Sequence, residues 1–598
     1  MLLLHQAHVS RKKEQVRKIF CYIYMSIEYL DDLPLLGKLL LDSDVANLLD
    51  KHFPDHGSWQ GISGGKLAVG WLMYILSEGD HRLSHVETWA AKRLHVLRAI
   101  LGEEGLREVD FCDDRLARLL SRYSDDTSWE AFEVSLGRHL LQVYSLVDTD
   151  ECKADMPAVI RADSFNVPQY RTADGLFGFG HHKQRRPDQP FCKAMVATLD
   201  PFAMPLAVDI AKGSGPDTAH YLPVIMRVRR MIPHSGNLYV GDSNLGSHDN
   251  RLQIARNGDY YLCPLSRKQC SVECLNAYLT QLPSSLRDMD NIFTEQGSKR
   301  KAAYFQELTE TVSEQDESWL ERRILVYSPD YASGLVKSFD NRLDEAQAVL
   351  KTLVESKKGR RNPKTLKDLH VRCANVLKKF SVEGFFEIQC TETVEERQVQ
   401  RYKNRQTTIR KSITLHLNLE RKEELIEQQR QRLGWQLYAT NVPEERMDAK
   451  ALVLCYRDEY RIEHLFDYLI NRDVGLLPIY LKKQERVKGL VRFLTIAMRA
   501  AARIQYLARL ELLKDQGKIN GVYPGNKNRA TDQPTTPMLL RAFNGLAVAW
   551  MELPNGVSVQ MPPLDEVQNR ILHLLGMDNL YEQTTAILKT QMKITENC

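Results

Sequence analysis

No stretch of this chain approaches the roughly 18 uninterrupted apolar residues that a membrane-spanning helix needs. A segment such as GLAVAWMEL is far too short, so membrane insertion is not expected. The opening MLLLHQAHVSRKKEQVRKIF lacks a signal peptide's order as well: its brief apolar run precedes the basic residues instead of following them. Paired cysteines are missing too. The eleven cysteines include no CxxC, and the one close spacing, Cys270 to Cys274, lacks the second pair a zinc site would require. Scattered thiols of this kind suit a reducing, cytoplasmic setting. Net charge is nearly absent, +4 from 81 basic and 77 acidic residues, so only local clusters can speak about partners. There is no internal repeat and no low-complexity segment, which excludes fibrous and solenoid classes.

What is present is length: 598 residues, 43% of them hydrophobic and 26% charged, predict a globular protein of two to four domains. Residues 1–25 read as an extended or disordered start; they stand apart from the apolar pattern beginning at Ile27, and Met25 is expected as the true start. From 26 to 150 the apolar period is helical, in LPLLGKLLLDSDVANLLDKHF, KLAVGWLMYILSE and SWEAFEVSLGRHLLQVYSLV. GISGGKLAVGWLMYIL followed by RLSHVETWAAKRLHVL has the form of a helix-turn-helix, which is either a DNA-binding unit or plain packing. From 156 to 295 the pattern turns to strands, AVIRADSFNV, GLFGFGHH, CKAMVATLD, MPLAVDIAKG, NLYVGD and DYYLCPLS, with the helix AHYLPVIMRVRRMI among them. That alternation predicts a mixed α/β domain. Residues 296–445 are charged and helical around the basic loop SKKGRRNPK and read as an insertion, after which 446–515 complete the α/β domain. Residues 516–598 read as a linker and tail.

Two strands end in an acid. AVIRAD runs into Asp163 and NLYVG into Asp242, and neighbouring strands about 5 Å apart would set the two carboxylates side by side. Such a pair would share a proton unless a cation lay between, so Mg²⁺ is the natural companion. The bland alternative for Asp242 is a cap on the following helix. A third acid comes from YRDEYRIEHLFDYL, where Ile462, Leu465, Phe466 and Leu469 define a buried helical stripe and Glu463 lies at its edge. Glu459 lies one turn earlier on a neighbouring line, and Arg457 and Arg461 offer both acids a surface-array alternative. Further along, Lys488, Arg492, Arg499 and Arg503 fall within a sector of roughly 60° on one helix, and no acid occurs from 487 to 509. An unmixed basic stripe predicts phosphate contact. His181 and His182, adjacent on a strand, point to opposite faces and are not joint ligands. Asp217 in GSGPD reads as a helix cap. Trp435 suits either core packing or stacking on an extruded base.

Taken in order, AVIRADSFNV, the stretch FGHHKQRRPDQPFCKAMVATLDPFAMPLAVDIAKGSGPDTAHYLPVI, LYVGDSNLGS and YRDEYRIEHLFDYL resemble the successive motifs of bacterial insertion-sequence transposases. These are DDE enzymes of the IS-four superfamily, in the group with a Tyr-Arg-Glu-Lys signature. The resemblance also takes in the N-terminal helices and PTTPMLLRAFNGLAV. It implies an α/β ribonuclease-H-like catalytic core, a mixed sheet with helices, interrupted by a large insertion and preceded by an N-terminal all-α domain. It implies that Asp163, Asp242 and Glu463 hold two Mg²⁺ (or Mn²⁺) ions, and that Tyr456, Arg457 and Arg461 meet DNA. Arg186, Pro187 and Asp188 fit the pattern. Glu459 stands where the signature has arginine, Ile470 where it has lysine, His182 where a small polar residue is usual and Asn244 where glycine is. The implied activity is cut-and-paste transposition by metal-dependent strand cleavage and transfer. The implied partners are the element's inverted repeats, target DNA and a second copy of the chain, in a bacterial cytoplasm at the nucleoid. Two rivals remain: an inactive remnant that only binds DNA, and a metal-dependent nuclease without strand transfer.

Overall fold

The computed structural model describes residues 25–144, 158–170, 173–180, 188–283, 286–292, 303–314, 317–355, 362–400, 407–472, 474–553 and 556–595. His181, His182, Arg186, Pro187 and positions 356–361 of the basic loop lie outside the described residues, as do residues 1–24. The chain divides into two compact units, one of residues 1–263, 442–447 and 454–598, the other of 264–441 and 448–453.

The first unit starts with strand β1 (Met25–Tyr29) and helices α1 (Leu33–Asp42), α2 (Val45–His52), α3 (Gly64–Glu78), α4 (Leu83–Ala91), α5 (Leu94–Leu101), α6 (Asp113–Tyr123) and α7 (Asp126–Val143). Local chemistry sets their limits. Asp44, in the left-handed region at φ 57°, breaks the first apolar run into α1 and α2. Ser63 Oγ accepts the Lys66 N–H at 3.2 Å to start α3, and Gly79 at φ 62° stops it. Helix α3 is buried along nearly its whole length. Helix α3 is therefore a packing helix, whereas the shorter α4 buries only Val86, Trp89 and Ala90 and leaves Ser84, His85 and Thr88 exposed.

Asp32, just before α1, is 1% exposed, and its Oδ1 has no hydrogen-bond partner. Burial pushes its carboxyl up to about 7, the Ser77 hydrogen bond opposes that rise and Asp31 adds to it. A folded-state value raised above the ordinary 3.8 means the fold favours the protonated acid. The associated stability is complete below pH 3.8 and is lost as pH climbs through about 7. Asp32→Asn is expected to raise the melting temperature at pH 8, by the equivalent of about 4 kcal/mol at most, and to leave it nearly unchanged at pH 4. Equal shifts at both pH values would show that ionisation at Asp32 is not the cause.

A sheet follows: β2 (Val159–Pro168), β3 (Phe191–Leu199) and β4 (Met204–Lys212), then helix α8 (Thr218–Met231), β5 (Leu238–Gly241), helix α9 (His248–Arg256) and β6 (Tyr260–Pro264). The strands lie in the order β4-β3-β2-β5-β6. β2 is antiparallel to β3 and β3 to β4, whereas β5 is parallel to β2 and β6 to β5. The parallel steps need crossovers, and α8 and α9 supply helices where the chain makes them. β3 is buried at every position, as a strand covered on both faces must be. Among its described residues, GLFGFGHH, expected as a strand, makes an isolated bridge from Gly178 to Phe191 and no longer pairing.

The second unit contains α10 (Val272–Leu279), β7 (Asp290–Ile292), β8 (Ala303–Glu314), β9 (Glu317–Tyr327), α11 (Pro329–Lys351), α12 (Leu366–Phe380), β10 (Phe386–Gln400), β11 (Thr407–Arg421), α13 (Glu423–Arg432) and β12 (Trp435–Thr440). Strands β12-β9-β8-β7 form an antiparallel sequence, and β10 and β11 form a separate two-stranded ribbon. The helices expected on either side of the basic loop are α11 and α12, and long hairpins not expected from the sequence share the region with them. Along the ribbon Ile388 faces Leu419, Cys390 faces Leu417 and Val394 faces Ile413, a two-residue period that intervening charges conceal. A core of Phe339, Leu343, Ala346, Val382, Phe386 and Ile426 holds α11, α13 and the ribbon's base together.

Helix α14 (Ala449–Arg457) precedes α15 (Tyr460–Asp467), α16 (Gln484–Lys514), α17 (Thr536–Arg541), β13 (Ala547–Leu553), β14 (Gly556–Gln560), α18 (Glu566–Leu574) and α19 (Leu580–Thr595). The single long helix expected around Tyr456 is instead broken at Asp458 and Glu459, where backbone bonds shorten, as in Ile462 N–H to Glu459 C=O at 3.1 Å. The residues expected as a linker and tail belong to the first unit. β13 pairs with β1 from Met25–Met551 to Tyr29–Ala547, and the Tyr581 hydroxyl donates to the Asp31 carbonyl at 2.7 Å. Among the described residues no helix is long and apolar enough to cross a membrane.

Candidate active site

The register between β2 and β5 runs from Val159–Leu238 to Ala162–Gly241, so Asp163 and Asp242 are the next residues on two adjacent parallel strands. Gly241 is required there: a Cβ would lie 2.9 Å from the Tyr221 ring and 3.0 Å from Leu245. That close approach lets the Tyr221 hydroxyl donate to Asp242 Oδ1 at 2.7 Å. Burial, then the charges of Asp242 and Asp163, keep this phenol far above its ordinary range, so it remains a donor.

Asp242 does not cap the following helix. Ser247 does, accepting the Asn250 N–H at 3.3 Å. The Asp242 carboxylate instead folds back on its own turn, taking the Asn244 N–H at 2.8 Å and the Asn244 side-chain amide at 2.9 Å. Asn244, at a position where the resembled family usually has glycine, thus orients the acid. Asp163 Oδ1 accepts the Ser164 N–H at 2.7 Å. Asp217 occupies the N-cap position of α8 without capping by its side chain. Its carboxylate pairs with Lys193 at 2.5 Å and takes the Ser164 hydroxyl at 3.4 Å, which braces the residue after Asp163.

Helix α15 brings two more acids. The stripe of Ile462, Leu465, Phe466 and Leu469 is buried, and Glu463 is exposed at its edge. Glu459 is half-buried. Burial, followed by the charge of Asp163, pushes its carboxyl up to about 7; a Tyr456 hydrogen bond opposes this, and Glu463 and Asp242 add to it. All four carboxylates therefore share one electrostatic neighbourhood. Glu459 is the member that sequence reasoning left out, although its i,i+4 spacing from Glu463 carries the signal. Arg161, 2% exposed, holds the helix entry: it forks onto Asp200 at 2.8 and 2.9 Å and donates to the Cys455 carbonyl at 2.7 Å. Arg461 donates to the Pro201 carbonyl at 2.6 Å and pairs with Asp458 at 2.7 Å. Arg457 closes α14, beside Tyr456.

Carboxylates are the hard oxygen donors that Mg²⁺ or Mn²⁺ takes; the rise at Glu459 comes first from burial, and the charges of Asp163, Glu463 and Asp242, which a divalent cation would offset, add to it. Among the described residues no three His, Cys, Asp or Glu groups stand close enough together to hold an ion as they are. The donor types fit a metal, then, while their spacing is open.

The basic stripe on α16 is corrected. Arg492, Arg499 and Arg503 are 1%, 3% and 7% exposed. Arg492 donates to the Tyr123 carbonyl at 3.0 Å and pairs with Asp126. Arg499 reaches the Pro205 and Leu206 carbonyls and Glu133, and Arg503 binds the Leu39 carbonyl and Ser43. Lys488 pairs with Asp126 at 2.7 Å. The four do share a sector, but it faces α1, α6, α7 and the sheet, whose carbonyls, hydroxyl and acids satisfy it. Trp435 packs against Tyr327, ring centroids 4.9 Å apart.

No protein-family model matches this chain, and no curated protein matches it significantly. A solved structure, the cryo-EM structure of the piggyBac transposase synaptic complex with hairpin DNA, aligns with 51% of this chain and 60% of its own at 10% identity and a TM-score of 0.24. This chain thus spans about 60% of that protein's length.

Proposed function

We propose that this chain is a DNA transposase that cleaves phosphodiesters and transfers the freed strand, with Asp163, Asp242 and Glu463 as the acids of the reaction. The observation that carries the reading is the placing of Asp163 and Asp242 one residue past the last β2–β5 pair, on adjacent parallel strands, with half-buried Glu459 near enough to feel the charge of both. The strand order β4-β3-β2-β5-β6, antiparallel through β2 and parallel beyond it, is what a ribonuclease-H-like core would have and supports the same reading. Residues 264–441 would be the insertion into that core.

Asp163, Asp242 and Glu463 would hold two Mg²⁺ or Mn²⁺ ions. Bound divalent ions lower the pKa of an attacking water or 3′ hydroxyl and stabilise the leaving oxygen. The residues around them orient: Tyr221 and Asn244 fix the Asp242 carboxylate, and Ser164 with Asp217 fixes the strand at Asp163. Tyr456, Arg457 and Arg461 are the groups of this helix region proposed to face the phosphates, with a homodimer holding paired ends.

The test is cleavage of a labelled duplex bearing the inverted repeats that flank the gene, in Mg²⁺ or in EDTA, beside Glu463→Gln. Nicking at the repeat boundary that needs metal and falls by about 10³-fold in the variant is expected. Binding without nicking under every metal condition would leave a DNA-binding remnant, and cleavage without joining would leave a nuclease.

A further inference from the structure

Beside the acids, on the neighbouring face of α15, the first unit has an open cleft of about 770 Å³. Its walls are the β3–β4 turn, α15, the later part of α16 and residues 532–537. This volume is within the roughly 300–1,000 Å³ range of small-ligand sites.

The cleft combines three kinds of group. Phe202 and Tyr506 lie with ring centroids 4.2 Å apart and planes at 32°, and Tyr460 meets His464 edge-on at 5.4 Å. Arg509 lines the wall half-buried, and its Nε donates to the Pro534 carbonyl at 3.0 Å. Among the described residues no carboxylate stands within ion-pair distance of it, and the rest of its guanidinium makes no hydrogen bond. Burial, the largest effect, holds its pKa below the ordinary value; nearby Arg461 adds to this, while Tyr460 and Asp532 oppose it. A guanidinium withdrawn from water without a counter-ion is costly, and a phosphate presented to its planar fork offsets that cost. Asp467 and Asp532 also line the cleft. They would repel a second phosphate but can accept from the exocyclic amino groups of a base.

The geometry points to a nucleotide-binding site in this cleft, with the phosphate on Arg509 and the base against Phe202 and Tyr506. The occupant is an unpaired nucleotide of a DNA strand whose reacting phosphodiester lies at the acids across α15. The strand therefore rests on the proposed transposase reading, whereas the nucleotide chemistry does not. A free mononucleotide offers the same groups, and the test separates the two.

The experiment measures fluorescence anisotropy of a labelled single-stranded oligodeoxynucleotide of roughly ten residues with the full chain, in EDTA at fixed salt, so that no chemistry intervenes. Arg509→Gln and Tyr506→Leu are each expected to weaken binding by about tenfold or more, with melting curves like that of the wild type. Unlabelled deoxyadenosine 5′-monophosphate, whose base carries an exocyclic amino group, is the competitor. Weak competition identifies a strand, and competition as strong as the oligonucleotide's identifies a free nucleotide. Unchanged affinity in both folded variants overturns the site. If one variant misfolds, the other decides. Loss of binding in the variants of a protein that never cleaves DNA would keep the cleft and remove the transposase.

Discussion

A Glu133→Gln protein is expected to melt roughly 3–6 °C below the wild type. Glu133 is fully buried on α7 and accepts from Arg227 of α8 at 2.9 Å, from Arg499 of α16 at 3.1 Å and from the Val208 N–H of β4 at 3.1 Å. Arg227 and Arg499 are themselves 2% and 3% exposed. Glutamine keeps the shape and one acceptor oxygen but removes the negative charge that Arg227 and Arg499 share. Breaking a buried ion pair from one side costs about 3–5 kcal/mol, because the remaining charge is stranded. A thermal melt by circular dichroism checks it. A shift of only a degree or two would mean that solvent or Glu130, which also pairs with Arg227 at 2.9 Å, takes over the charge. The same triad ties the helices of residues 33–143 into the sheet, so these helices are a bonded part of the first unit.

Asp163→Ala and Asp242→Ala are each expected to lower metal-dependent cleavage by about 10³-fold or more while leaving duplex binding within about twofold. The reason is positional: both acids sit at the sheet, braced by Ser164, Asn244 and Tyr221, so no neighbour can substitute for either. Binding should persist because neither carboxylate attracts phosphate. A readout independent of catalysis is also available. Mg²⁺ is expected to raise the melting temperature of the wild type and to raise that of Asp163→Ala much less, since removing a carboxylate lessens the charge that the cation offsets. Cleavage surviving in either variant would remove these acids from the reaction.

The acids of β2 and β5 were legible because short apolar runs ending in a polar turn have little else to be, and parallel neighbours place equivalent positions together. Glu459 was harder to read. Measured against a motif it looked like a departure, and only the break at Asp458 turns it toward Asp163. The α16 stripe misled for a different reason. Asking whether acids occur at i,i+4 tests neutralisation within one helix, whereas Asp126 and Glu133 belong to α7, far away in sequence. In β10 and β11 charge density concealed a two-residue alternation, because a ribbon with little to cover it carries polar residues on both edges of its pattern. In each case the missing information is long-range, which a local period does not contain.

The pairing of β1 with β13 sets a timetable for synthesis. β1 is among the first described residues to leave the ribosome, yet its strand partner follows only after roughly 500 more residues. At typical elongation rates of about 5–20 residues per second, that is on the order of half a minute to two minutes. During that interval β1 offers an unpaired edge, and the Tyr581 hydroxyl has not yet reached the Asp31 carbonyl. A message cut short before Ala547 would yield a chain that keeps this edge open.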